Sequence, residues 1–183
     1  MDNAIAGGDI IIDYITGKPR VNTGAEANRQ ETERVLVEMK GYERKDIDVD
    51  APISMDMAGG ECYRSTVDLV VRVQGLRYMV VKCAPGALAS REREILAAAR
   101  LLADYQVPLA VATDGKHAIV WETISGNCLG EGLDAIPTME QAAATFKAEA
   151  LVPLDERRRV RQQLIFKSYD SMNIHRSRHV NES

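Results

Sequence analysis

An acidic and a basic residue lie in two neighbouring segments that are typical of β-strands. Asp68 belongs to an alternating segment that runs from Tyr63 to Val73. Lys82 lies near the end of a second apolar segment, over 76–83. The Gln-Gly pair between them marks a turn, so the two segments predict a β-hairpin. A carboxylate beside an ammonium group is a combination suited to the cleavage of a phosphodiester.

That chemistry requires neutralisation of negative charge. Mg²⁺ binds hard oxygen ligands, usually one or two carboxylates together with waters. The bound ion polarises the phosphoryl oxygen and lowers the pKa of a water, and a lysine stabilises the developing negative charge. On this hypothesis Asp68 is the first ligand of Mg²⁺ or Mn²⁺, Lys82 is the cation, and Glu26 is an outer ligand from a preceding helix.

The register of the hairpin provides an internal test. A plain two-residue turn would place Asp68 opposite Val81. Lys82 would then share a face with the apolar Val67 and Leu69. A three-residue connection or a bulge would instead place Asp68 opposite Lys82, with the apolar residues on the other face. Burying an unpaired lysine is costly, so we favour the second register.

A simpler interpretation of the same two residues stays open. Asp68 and Lys82 could form a cross-strand salt bridge with no catalytic role. Exposed pairs of this kind contribute little to stability.

The elements around the hairpin indicate one mixed domain. Thr23 is a candidate N-cap with Glu26 three residues later, and Gly41 would close the helix that follows. The other predicted elements are a strand over 46–50, a helix over 88–104, a strand pair over 108–123, and helices over 138–150 and 155–170. Strands with helices inserted between them are typical of an α/β or α+β domain.

We divide the chain into three parts on this basis. Residues 1–22 form an N-terminal arm, residues 23–137 the core domain, and residues 138–183 C-terminal helices with a polar tail. The tail is expected to fray from Ser171 onward.

Several segments match a known family in order and spacing. They run from Asp13 to Lys18, Glu26 to Gln30, Leu36 to Tyr42, Arg64 to Val71, Val81 to Gly86, Ala99 to Leu101, and Pro108 to Gly115. The sequence resembles the N-terminal nuclease domain of type I restriction enzyme R subunits (HsdR), of the PD-(D/E)xK superfamily. The resemblance implies a restriction-endonuclease-like core, with a central mixed sheet and flanking helices, in which Asp68, Lys82 and Glu26 are catalytic.

One position departs from the family pattern. The family has Glu or Asp two residues before the lysine, where this chain has Val80. In some nucleases of this fold the following helix supplies the missing carboxylate, and Glu92 and Glu94 lie there. Glu92 is expected to share a helix face with Leu88 and Ile95 and to point towards the sheet, as a metal ligand. The alternative is that both glutamates are solvated surface charges.

Charge and composition restrict the classes of function. The chain has 23 Lys and Arg against 27 Asp and Glu, a net charge of −4, so it is no basic nucleic-acid coat. Any DNA contact requires a local patch or a metal ion. Arg157, Arg158, Arg159 and Arg161 are a candidate patch for the DNA backbone, although a solvated helix face is an alternative explanation.

Other motifs are missing from the sequence. No G-x-x-x-x-G-K-[ST] segment is present, so ATP is not expected as a ligand. The N-terminal segment resembles neither a signal peptide nor a membrane span. Three dispersed cysteines, Cys62, Cys83 and Cys128, favour reduced thiols and a cytoplasmic location.

We therefore predict a Mg²⁺-dependent DNA endonuclease centred on Asp68 and Lys82, with DNA as a partner and either a homodimer or restriction-system subunits around it. The alternative is a degenerate nuclease-fold module that binds DNA or a partner protein without cutting. A third interpretation is a structural domain with no nucleic-acid role.

Overall fold

The described chain starts with a short hairpin that precedes the first helix. In this computed structural model, residues 9–57 and 59–180 are described, and the side chains of 173–180 are not. Strands β1 (Ile10–Ile12) and β2 (Pro19–Val21) pair antiparallel. The predicted arm is therefore an ordered hairpin over its second half, and its first eight residues lie outside the described residues.

The first helix begins where its N-cap predicts. The side-chain oxygen of Thr23 accepts a hydrogen bond from the backbone N–H of Glu26 at 3.1 Å, and α1 spans Gly24–Arg34. A π-helical turn over Val35–Met39 continues it. Gly41 follows with a φ of 76°, a left-handed conformation that glycine adopts without steric cost.

Within the described residues, six strands form the main sheet. They are β3 (Ile47–Asp56), β4 (Cys62–Val73), β5 (Leu76–Cys83), β6 (Leu109–Thr113), β7 (Ala118–Glu122) and β8 (Cys128–Glu131). They lie side by side in chain order, and every neighbouring pair is antiparallel except β5 and β6. A 3₁₀ turn over Leu88–Arg91 and helix α2 (Glu92–Leu101) form the crossover that a parallel pair requires. The predicted mixed sheet is confirmed.

Two helices follow the sheet. Helix α3 (Met139–Thr145) is shorter than predicted, and a 3₁₀ turn over Ala148–Ala150 follows it. Helix α4 (Glu156–Val180) is longer than predicted, because the segment from Ser171 continues it, and the expectation of a frayed tail is wrong. The preceding turns already pack on the domain, so each further residue extends an existing helix at little cost.

The sheet separates two hydrophobic clusters. On one face, Val70 and Val80 pack against α2 and Phe166 of α4. On the other, Leu69 and Val81 pack against residues that follow α1 and surround α3. Strands β5 and β6 are buried on both faces, which explains their continuous apolar sequences. No helix in the described part of the chain has the length and apolar character needed to span a bilayer.

The hairpin of β4 and β5 has both the two-residue turn and the bulge that the sequence analysis considered. Its turn has two residues, with Val73 opposite Leu76, and Tyr78 then forms a bulge that shifts the pairing by one residue. Beyond the bulge, Leu69 lies opposite Val81. The favoured register, with Asp68 and Lys82 on one face, is therefore confirmed.

The turn between β6 and β7 lies directly against α1. A Cβ atom at Gly115 would lie 2.7 Å from Cβ of Glu31 and 3.3 Å from the carbonyl oxygen of Asn28, and φ there is 86°. Gly86 has a nearly identical φ of 87°, with nothing within 4 Å of its would-be Cβ. A comparison of substitutions at the two glycines therefore separates the cost of backbone strain from the cost of contact with α1.

We expect Gly115→Ala to lower the free energy of unfolding by more than Gly86→Ala does. Both substitutions carry a left-handed strain of roughly 1–2 kcal/mol, and only the first also displaces α1. Urea denaturation of the two variants measures the difference. Equal losses would show that the turn does not fix the position of α1.

Candidate functional site

The site forms where β4 and β5 separate. Leu69 and Val81 are the last pair of their ladder, and beyond them β5 continues beside β6, with Cys83 opposite Thr113. The backbone N–H of Cys83 donates to Oδ2 of Asp68 at 2.7 Å. The Asp68 carboxylate therefore replaces a strand carbonyl as the acceptor for this N–H.

Lys82 lies between two carboxylates. Its Nζ is 3.7 Å from Oδ2 of Asp68 and 3.3 Å from Oε1 of Glu94. Glu94 belongs to α2 and is only 2% exposed, and its Oε2 lies 3.6 Å from Nη1 of Arg91. The result is a compact group of alternating charge beneath the sheet.

Burial and neighbouring charge oppose each other at this group. Burial lowers the pKa of Lys82, but the carboxylates of Asp68 and Glu94 outweigh it, so the net shift of the lysine pKa is upward. Burial raises the pKa of Asp68 above its usual value, although Lys82 and the Cys83 amide act to lower it. Lys82 is therefore charged at neutral pH.

Glu94, and not Glu92, reaches the sheet. Glu92 is exposed, so its predicted orientation towards the sheet is wrong. That prediction extended one α-helical phase through Leu88–Arg91, which instead form a 3₁₀ turn with fewer residues per turn. The spacing of Glu94 from the buried Ala98 and Leu101, four and seven residues later, is the signal that places it on the inner face.

Val80 contributes to the core and not to the site. It is fully buried and lies opposite Val70 in the ladder, under α2. Where the resembled family has an acidic residue, this chain therefore has part of its hydrophobic core. The carboxylate that approaches Lys82 from this side is that of Glu94.

Glu26 lies in a second charged cluster. Its Oε1 accepts hydrogen bonds from Nη2 of Arg29 at 2.6 Å and from Nε2 of Gln30 at 3.0 Å. Among the described residues, no hydrogen bond or ion pair joins Glu26 to Asp68 or Lys82. Arg29 connects the two clusters, because its charge acts to lower the pKa of Asp68. A catalytic role for Glu26 stays a prediction.

Arg29 holds four carboxylates from three parts of the chain. Besides Glu26, its guanidinium lies 3.0 Å from Asp13, 2.8 Å from Asp50 and 3.5 Å from Glu33. Asp50 interrupts β3 with a φ of 51°, between the residues paired with the two neighbours of Asp68. This Arg29 cluster, which the sequence did not reveal, joins the β1–β2 hairpin, α1 and β3.

A third carboxylate acts on Lys82 from α4. Asp170 is buried, and its Oδ2 accepts a hydrogen bond from the hydroxyl of Tyr63 at 2.6 Å. Its charge contributes to the raised pKa of Lys82. Sequence analysis missed this residue because Asp170 lies more than eighty residues from Lys82, and nothing in its pattern separates Asp170 from surface carboxylates.

The carboxylates suit Mg²⁺ in chemistry. Among the described residues, no three His, Cys, Asp or Glu side chains are grouped as a set that could hold a metal ion. Mg²⁺ is commonly held by one or two carboxylates with waters, and Asp68 and Glu94 are two carboxylates that lie within 4 Å of the Lys82 ammonium. These two carboxylates are oxygen donors of the type that Mg²⁺ takes.

The six-stranded mixed sheet with helices on both its faces defines a mixed α/β domain. The family model described as the type I restriction enzyme R protein N terminus (HSDR_N) matches residues 24–137, more than half of the sequence. The chain belongs to this family, and the predicted resemblance is confirmed.

One solved structure shows the same fold. It is a fragment of a protein assigned as the HsdR subunit of a type I restriction enzyme from Vibrio vulnificus YJ016, with a TM-score of 0.50 and 14% sequence identity. The match covers 66% of this chain and 24% of that one, so this chain spans about a quarter of its length. At this identity the likeness establishes the fold alone. Comparison with curated proteins gives no match.

The buried Glu33 of the Arg29 cluster makes stability depend on pH. Burial, reinforced by Asp13, raises the pKa of Glu33 to about 7, although Arg29 acts to lower it. The unfolded carboxyl has a lower pKa, so the folded state binds the proton more tightly. Stability from this group is therefore fully present in acid and is lost as the pH rises through about 7.

We expect Glu33→Gln to stabilise the protein at pH above 7 by roughly 1–3 kcal/mol and to have little effect in acid, because the amide is neutral throughout. Urea denaturation of wild type and variant across this pH range measures the difference. Glu31→Gln, on the exposed side of α1, is the matched control. Parallel pH profiles for Glu33→Gln and wild type would contradict the assignment.

Proposed function

We propose that this domain is a metal-dependent DNA endonuclease that acts in the cytoplasm as part of a type I restriction system. The observation that carries the proposal is the position of Lys82, which lies between Asp68 and Glu94 where two strands separate. Membership of the family supports a nuclease-related role and an assembly with other restriction subunits.

Each residue of the site has a distinct role in this proposal. Asp68 and Glu94 would hold Mg²⁺ or Mn²⁺, which when bound polarises the phosphoryl oxygen and lowers the pKa of a water. The Cys83 amide orients the Asp68 carboxylate. Lys82, kept charged by its neighbours, stabilises the negative charge that develops on the phosphoryl oxygens.

A second candidate function is DNA or protein binding without cleavage. Val80 replaces a family carboxylate with a core residue, and the remaining carboxylates already form ion pairs with Lys82. Displacing those ion pairs with a metal ion has an energetic cost. This observation favours the alternative and makes metal binding the point at which the two functions differ.

Two neighbouring glutamates of α2 provide a matched test of cleavage. With Mn²⁺ present, we expect wild type to cut supercoiled or linear DNA, and Glu94→Gln to lower the rate by roughly 10²–10³-fold. Glu92→Gln, two residues away and exposed, leaves the Lys82 site intact and should cut no more slowly than wild type. Gel electrophoresis measures the rates, and thermal unfolding confirms that both variants fold.

Calorimetry with Mg²⁺ and Mn²⁺ completes the test. The proposal predicts binding that is lost in Asp68→Ala. Absence of metal binding and of cleavage in wild type would leave the binding module as the function. Cleavage that persists unchanged in Lys82→Ala would show that the activity arises elsewhere.

A further inference from the structure

A groove of about 670 Å³ separates α2 from α4 beside the turn between β7 and β8. Four arginines line it: Arg93 and Arg100 from α2, and Arg158 and Arg161 from α4. Glu92 is the single carboxylate among the lining residues that are described. The groove is thus strongly positive, although the whole chain has a net charge of −4.

Helix geometry divides the arginine-rich segment of α4 into two pairs. Arg158 and Arg161 line the groove together with Tyr169, at positions i, i+3 and i+11 of one helix face. Arg157 and Arg159 do not line it, and Nε of Arg159 lies 3.1 Å from Oε2 of Glu156. The candidate patch seen in the sequence is therefore only half directed at the groove.

Arg100 is a fixed cation at the floor of the groove. Its Nε donates to the carbonyl oxygen of Thr123 at 2.9 Å, and its Nη1 donates to Oε1 of Gln162 at 3.3 Å. Burial lowers the pKa of Arg100, and the nearby charge of Arg158 lowers it further. Two like charges therefore face each other across α2 and α4, an arrangement that a bound anion would stabilise.

The four arginines are available to a ligand. In the part of the chain that the structure describes, none of them lies within ion-pair distance of a carboxylate, unlike Arg29 or Arg91. Guanidinium groups match phosphate oxygens in planar, paired hydrogen bonds. The groove thus presents the chemistry that recognises phosphate.

The groove adjoins the candidate active site. Glu92 lines it two residues before Glu94, and Tyr169 lines it one residue before Asp170. The same turns of α2 and α4 therefore present carboxylates to Lys82 on one side and line the groove on the other. A DNA strand bound in the groove would therefore pass close to the candidate active site.

We propose that this groove binds the phosphate backbone of DNA, through Arg93, Arg158 and Arg161 with Arg100 at its floor. The choice of DNA rests on the function proposed above, whereas the phosphate chemistry rests on the groove itself. This assignment also explains how an acidic chain acquires an electrostatic attraction for a polyanion.

The salt dependence of DNA binding tests the proposal with a charge-matched control. Fluorescence anisotropy of a labelled duplex, with EDTA to prevent cleavage, gives the observed binding constant between about 50 and 200 mM salt. We expect R158Q/R161Q to reduce the slope of log K against log [salt] by about 2, because each arginine neutralises one phosphate of the backbone. R157Q/R159Q removes the same charge from the same helix and should leave the slope unchanged.

Several outcomes would overturn the proposal. Equal slopes for the two double variants would show that the groove is not the binding surface, as would failure of the wild type to bind DNA. Competition by tripolyphosphate tests the small-anion source. If tripolyphosphate binds wild type and not R158Q/R161Q while DNA does not bind, the groove is a small-anion site and the DNA assignment is wrong.

Cleavage and binding can fail separately. A slope that depends on Arg158 and Arg161 in a protein that does not cut DNA with Mn²⁺ would support the groove and reject the nuclease function. Cleavage that requires Glu94, with equal slopes for both double variants, would reject the groove and support the nuclease function.

Discussion

The bond from the Cys83 amide to the Asp68 carboxylate is the interaction on which the site depends. Strand β5 must leave β4 to continue beside β6, and leaving breaks the antiparallel ladder after Leu69 and Val81. An N–H without an acceptor at that point would cost about 1–3 kcal/mol. Asp68 supplies the acceptor and in doing so places a carboxylate in the opening between the strands, next to Lys82.

Both charged clusters contain more carboxylates than cations. The charges of Asp68, Glu94 and Asp170 all act on Lys82, and Arg91 lies beside Glu94. The cluster around Arg29 has the same imbalance, and there the excess is relieved by the raised pKa of Glu33. At the Lys82 site the side chain of Asp68 is 26% exposed, so another cation could reach its carboxylate and offset the excess negative charge. In the proposed function, a divalent ion would relieve this imbalance at the Lys82 site.

The features that depend on nearby residues, such as the register of the hairpin, could be predicted from the sequence. The hairpin register followed from the cost of burying Lys82 among valines, and the bulge at Tyr78 achieves it although the turn has only two residues. The predicted orientation of Glu92 was wrong because the 3₁₀ turn over Leu88–Arg91 changes the helical phase, and residue composition does not reveal such a turn. The Arg29 cluster could not be predicted, because its partners come from a hairpin, a helix and a strand that only the fold brings together.

The two proposed sites have opposite charge and would interact with DNA in different ways. An acidic centre repels phosphate unless a cation bridges the two, so it cannot by itself attract DNA at physiological salt. The arginine-lined groove supplies that attraction from the adjacent sides of the same two helices. Family membership extends over 24–137, whereas Arg158, Arg161 and Asp170 all lie on α4 beyond it. Helix α4 therefore contributes to both sites, and the residues beyond the family domain belong to the same functional surface as the residues within it.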